Sequence, residues 1–211
     1  MDKNGFELLL FDLGGVLVEY TGLRDVRRLL DGDISDDEFA RLVAATGPCW
    51  GNFECGRMTP DEFLDEFVSV WPLAVTRERF QLEFQTWTRG LLPGAEQTLA
   101  ELRPRYRLAA LSNSNALHWR RITGDHGLAA LMERVFGSHE IGWRKPAREA
   151  YEHVLTELNV RPHQTVFFDD LLENVQAARD LGMQAHRVAG VEELRRCLQE
   201  LGCLSTYKSP S

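Results

Sequence analysis

Several short apolar runs, residues 8–11, 108–111, 166–168 and, more weakly, 185–188, lack the alternation of a strand exposed on one face and are too short for helices. Such runs read as strands buried on both faces, the condition of parallel sheets covered by helices. Residues 135–137 are a further candidate, followed by polar Ser138, His139 and Glu140. Helical patterns lie between the runs. Tyr151, Val154, Leu155 and Leu158 fall on one helix face and Pro162 closes that segment, while residues 173–181 form another pattern ended by Gly182. Strand and helix patterns in alternation predict βαβ units, hence an α/β fold with a Rossmann-like parallel sheet.

Residues 17–88 interrupt this alternation. They carry helix-like segments at 23–30, 36–45, 59–70 and 76–88, and no convincing strand between 17 and 87. Thr59-Pro60-Asp61-Glu62 is a strong helix start, with a threonine cap, proline in the first helical position and acids in the first turn. A chain of 211 residues is too short for two full-sized domains. The expected organisation is therefore an α/β core from 1–16 and 89–211, with a small helical cap from 17–88. Residues 46–57 read as a Gly- and Pro-containing loop, whose Trp50, Asn52, Phe53 and Glu54 either face a ligand or pack between cap helices. The tail from Ser205 onward reads as a frayed end.

Ligands of open parallel sheets bind beyond the carboxyl ends of the strands, so functional residues should directly follow the apolar runs. They do. Asp12 ends the first run and is followed by Leu13, Gly14 and Gly15, glycines that let backbone amides approach an anion. Ser112 and Asn113 follow the second run and suit either phosphate oxygens or a turn and helix cap. Lys145, before Pro146, reads either as a point charge for phosphate and carboxylate or as a surface lysine. Asp169 and Asp170 end the third run with Asn174 one helical turn on, oxygen ligands of the kind Mg²⁺ takes.

These stretches, in this order, resemble the signature motifs of the haloacid dehalogenase (HAD) superfamily, whose members are mostly phosphatases. The resemblance spans roughly residues 6–190 and is nearest the branch with a helical cap of the C1 type. The wordings Phe-Asp-Leu-Gly-Gly-Val-Leu, Leu-Ser-Asn-Ser-Asn-Ala-Leu-His and Phe-Phe-Asp-Asp look particularly like bacterial α-glucose-1-phosphate phosphatases. The resemblance implies that Asp12 is a nucleophile forming an aspartyl-phosphate, that Ser112 and Asn113 hold a phosphate oxygen, and that Lys145 neutralises the transferring group. It also implies Mg²⁺ between Asp12, the Gly14 carbonyl and Asp169, with Asp170 and Asn174 in support.

One position departs from the pattern. Most phosphatases of this superfamily carry a second aspartate two residues after the nucleophile as general acid and base, and here that position is Gly14. His118 is a candidate substitute by position and titration range, with a packing histidine as the alternative. The glycine motivates a second reading, a non-catalytic binding protein of the same fold, while a third, a 2-haloacid dehalogenase working without metal, has against it Asp169, Asp170 and the absence at Gly14 of the aromatic residue such enzymes tend to carry. A formal net charge of −8 argues against nucleic acid as a partner, and no apolar stretch has the length of a membrane span or a signal peptide. Cys49, Cys55, Cys197 and Cys203 show no metal-ligand spacing. The expectation is a cytoplasmic enzyme, monomer or homodimer, acting on a small phosphorylated metabolite with Mg²⁺.

Overall fold

The computed structural model describes residues 5–125 and 127–205, and apart from Ser205 the tail expected to fray lies outside them. Its centre is a five-stranded parallel sheet in the order β5-β4-β1-β6-β7. The strands are β1 (Leu8–Phe11), β4 (Arg107–Ser112), β5 (Arg134–Gly137), β6 (Thr165–Asp169) and β7 (Gln184–Arg187). Each apolar run singled out in the sequence is thus a strand. The central ones are buried along their whole length, which is why they read as continuous rather than alternating. β7 is an edge strand in which only Ala185 is fully buried, and it starts one residue earlier than its apolar pattern suggested.

Helices cover both faces. Leu9, Phe11 and Phe168 pack on one side with α4 (Ala95–Leu102) and α10 (Gly190–Glu200), alongside α5 (Ala116–Arg120), a π-turn at Arg121–Asp125 and α6 (Leu128–Leu131). Leu8, Leu10 and Phe167 pack on the other with α7 (Ser138–Ile141), α8 (Arg148–Glu157) and α9 (Leu172–Asp180). Strand order reverses at β1, whose neighbours β4 and β6 lie on opposite sides of it, so a crevice opens at the end of β1.

Between β1 and β4 the chain builds α1 (Asp36–Glu54), α2 (Pro60–Val70) and α3 (Arg77–Gln85) around an aromatic core of their own. Phe53 stacks on Phe63 at 4.3 Å and Phe67 on Phe80 at 4.6 Å between centroids. The cap of α2 forms as its residues dictate, with Thr59 Oγ1 accepting from the Glu62 amide and Glu62 accepting from the Thr59 amide.

Two sequence expectations fail in this region. Residues 46–54 are helix, not loop: α1 runs on through Pro48 because Cys49, Trp50 and Phe53 gain an aromatic core, which outweighs one lost backbone bond. Two short strands, β2 (Val18–Tyr20) and β3 (Thr88–Leu91), also pair as an antiparallel ribbon where the insertion leaves and rejoins the sheet. With three residues and a bulge at Glu19/Tyr20, β2 is too short to carry a readable period. No helix among the described residues is long and apolar enough to cross a membrane.

Candidate active site

Parallel register brings the strand-end residues together. Phe11 pairs with Ala110 of β4 and Phe168 of β6, so the next residue, Asp12, emerges beside the exits of both strands. The Asp12 amide donates to the Phe168 carbonyl at 2.8 Å and fixes the turn. Asp12, Asp169 and Asp170 each offer a carboxylate oxygen within 4.8 Å of the others. Lys145 reaches them from the loop after α7, its Nζ donating to Asp12 Oδ1 at 2.5 Å and to Asp169 Oδ2 at 2.7 Å. Its side chain is 1% exposed, so the ammonium is held by these two acids and not by water.

Electrostatics follow from that burial. Desolvation pushes the Asp12 carboxyl up to about 7 against the pull of Lys145, with Asp169 and Asp170 adding to the rise. Asp170 is also held above the usual carboxylate range, by burial first and then by Asp169. Burial opposes the charge on Lys145, but Asp12 and Asp169 outweigh it and hold the ammonium above its ordinary range. Three carboxylates therefore share one buried ammonium, and Asp12 and Asp170 hold their protons more readily than ordinary carboxylates.

The remaining residues complete a cavity of about 260 Å³ over Asp12. Gly14, Ser112, Asn113, His118, Lys145, Asp170 and Asn174 line it from the core. Asp169 lies beneath and is fully buried. The Ser112 hydroxyl makes no hydrogen bond within the described residues and is free to donate to an anion. Asn113 is committed differently: its Nδ2 donates to the Lys145 carbonyl at 2.9 Å and its Oδ1 accepts from the Lys145 amide at 2.8 Å, which positions the lysine. Tyr20, Trp50 and Glu54 of the insertion and Arg144 of the core close the other side. Of these, sequence reasoning raised Trp50 and Glu54 as possible ligand-facing residues and missed Tyr20 and Arg144. Phe53 packs in the aromatic core and Asn52 is exposed.

The donor set suits a hard cation. Asn174 Nδ2 donates to both oxygens of Asp169, at 2.9 and 3.1 Å, which leaves its Oδ1 buried without a partner. An orphaned acceptor beside three carboxylates is where a cation or its bound water fits. Oxygen ligands of one Mg²⁺ lie up to about 4.2 Å apart, so small side-chain rotations gather these carboxylates around one ion. Gly15 makes room for the cluster. Its φ is +77°, and a Cβ there would stand 2.9 Å from Asp170 Oδ2.

His118 is fully engaged. Its Nε2 donates to the Phe84 carbonyl at 2.8 Å, which fixes the tautomer, and its Nδ1 accepts from Asn115 Nδ2 at 3.1 Å. The ring stacks on Phe84 at 4.4 Å and joins α5 to α3. Burial pushes its pKa down to about 4 despite the bond to Phe84. The unfolded chain binds a proton near pH 6.5 that the folded chain refuses until about pH 4. The stability tied to this histidine is therefore present above pH 6.5 and lost as pH falls to about 4, an effect of about 3 kcal/mol. Urea midpoints between pH 7.5 and pH 4.5 should fall less steeply in His118→Gln than in wild type, and equal slopes would refute this account.

Fold and site together define a Rossmann-like α/β protein with a buried carboxylate cluster at the end of its central strand. Residues 6–182 match the family of haloacid dehalogenase-like hydrolases, and the chain belongs to that family. It is 28% identical to the sesquiterpene phosphatase astK of Aspergillus oryzae, with 94% of this chain and 98% of that protein covered. It is 24% identical to a D-ribitol-5-phosphate phosphatase of Bacteroides thetaiotaomicron, over 83% of this chain and 88% of the relative. Its fold matches that of a HAD family enzyme from the same bacterium, solved with magnesium and inorganic phosphate, at a TM-score of 0.68 and 22% identity over 86% of this chain and 93% of that one.

Proposed function

We propose that the protein is a Mg²⁺-dependent phosphomonoester hydrolase of a small phosphorylated metabolite, working through an aspartyl-phosphate on Asp12. The observation that carries this reading is the meeting of Asp12, Asp170 and Lys145 at one cavity, with Asp169 in contact with Lys145 and the free Ser112 hydroxyl beside them. Asp12 attacks phosphorus, Ser112 donates to a non-bridging oxygen, Lys145 neutralises the group in transfer, and Asn113 holds Lys145 in place. Bound by Asp12, the Gly14 carbonyl, Asp169 and Asp170, with Asn174 in support, magnesium supplies charge stabilisation and orientation. The three-carboxylate cluster favours this chemistry over metal-free displacement of halide.

Residues 17–88 act as a helical cap of the C1 type over a core formed by 1–16 and 89–211. The leaving group is sugar-like, as in the α-glucose-1-phosphate phosphatases that the sequence resembles, and the enzyme works in the cytoplasm as a monomer or homodimer. Two relatives named as phosphatases of a sesquiterpene and of a polyol phosphate set the panel for testing: sugar 1-phosphates, ribitol 5-phosphate and farnesyl phosphate. Phosphate release should require Mg²⁺, stop with EDTA and return with added Mg²⁺. The reading fails if wild type never exceeds an Asp12→Asn control.

Metal binding has its own signature. Mg²⁺ at a hundredfold excess over its Kd stabilises a folded site by about 2.7 kcal/mol, a rise in Tm of roughly 5–10 °C for a chain of this size. Asp170→Asn should lose most of that rise. A Tm indifferent to Mg²⁺ in wild type would count against the site.

A further inference from the structure

With glycine at position 14, the core offers no acid at the place where the leaving group departs. The titratable side chains around the cavity narrow the alternatives. Asp12, Asp170 and Lys145 are engaged with nucleophile, cation and phosphate. Each ring nitrogen of His118 has a single bonding site and both are taken, whereas a carboxyl oxygen in one hydrogen bond keeps a second lone pair. The Arg144 guanidinium does not release its proton, and burial, with Glu54 nearby, holds the Tyr20 hydroxyl protonated far above its ordinary range. Glu54 is left.

Glu54 sits at the end of α1, only 8% exposed, and lines the same cavity as Asp12. Trp50 Nε1 donates to its Oε1 at 2.9 Å, and Arg144 Nη1 lies 3.2 Å from its Oε2. One oxygen is thus oriented by the insertion itself and the other is tied to the core, so this carboxyl is placed only when the two parts are together. Tyr20 packs beside Gly14, where a Cβ would meet the Tyr20 Cβ at an ordinary 3.6 Å, and it feels the charge of Glu54. Burial holds the Glu54 carboxyl above its usual range against the pull of Arg144, Trp50 and Lys145.

We propose that Glu54 supplies the proton exchange that Gly14 cannot; the inference rests on the phosphatase reading above. In the first step the Asp12 oxygen–phosphorus bond forms, the phosphorus–oxygen bond to the leaving group breaks, and the departing oxygen takes the Glu54 proton. In the second, water adds to phosphorus and hands a proton to the Glu54 carboxylate. The bond to Asp12 then breaks, leaving a free carboxylate and inorganic phosphate.

Glu54→Gln separates this role from packing. 4-Nitrophenolate is expelled from 4-nitrophenyl phosphate without protonation, so rapid mixing should show a burst stoichiometric with enzyme in the variant, whose aspartyl-phosphate then breaks down slowly. Steady-state turnover of the variant should drop by about 10²- to 10⁴-fold. With glycerol phosphate, an alkyl ester, the variant should lose the first turnover as well. Adding Gly14→Asp to the variant should restore alkyl ester turnover at least tenfold. Loss of the burst together with alkyl turnover, or unchanged turnover on both esters, would overturn the role of Glu54 and leave the phosphatase reading standing. Wild-type turnover of both esters no higher than that of Asp12→Asn would overturn both.

Discussion

Asp12→Asn is expected to lower turnover by at least about 10⁴-fold while leaving the Tm of the metal-free protein unchanged or raised. The two effects have one cause. A carboxylate at the end of a buried strand, with Asp169 and Asp170 beside it, is unfavourable in its charged form, and its folded pKa lies near 7 against 3.8 for the ordinary group. Between these values the folded protein binds the additional proton, so the stability linked to Asp12 is full below about pH 4 and is lost as pH rises through about 7. Asparagine keeps the shape, removes the repulsion and removes the proposed nucleophile. Melting curves from pH 4 to pH 8 without metal should be flatter for the variant, and phosphate release should vanish at every pH. A variant that loses activity and also melts well below wild type would recast Asp12 as a structural residue.

Lys145→Met should damage both properties. Removing the ammonium leaves Asp12 and Asp169 buried without their counter-charge, a loss of about 3–5 kcal/mol when one partner of a buried pair is deleted. Turnover should fall with it, because no other cation of the chain reaches both carboxylates among the described residues. The double variant Asp12→Asn/Lys145→Met should recover part of the lost stability, since one of the stranded charges is gone. Urea titration of the four proteins measures that coupling. Strictly additive losses would show that the lysine acts elsewhere. Lys145→Arg is not expected to rescue, since a wider guanidinium has no room in a position with 1% exposure.

How much of this was legible beforehand follows from burial. Strands closed on both faces announce themselves as unbroken apolar runs, and because ligands gather at strand ends, Asp12, Ser112 and Asp169 could be picked from order alone. The family resemblance supplied their roles. Lys145 was named but not its place, because the distance between residues 12 and 145 is closed only by the turns after α7. The second half of α1 was hidden by Gly47 and Pro48, local breakers overruled by aromatic packing that no short window contains. With that helix hidden, the direction in which Glu54 points was hidden too. His118 stood out in the sequence for its titration range, yet in the structure its ring nitrogens are bonded to Phe84 and Asn115, partners set by the tertiary fold.

The aromatic cluster of α1–α3 meets the core at few points, Leu117 and His118 among them, and a two-stranded ribbon carries the chain between it and the sheet. Under the proposed function, selection for a new substrate can therefore remodel the residues over the pocket, Glu54 excepted, while the strand exits stay intact. Variants gathered from a screen for altered ester preference should accordingly concentrate between residues 20 and 87 and spare Glu54 and the strand exits. On this plan substrate choice can change while the proposed reaction is kept, since most of the stretch over the pocket takes no part in breaking the bond.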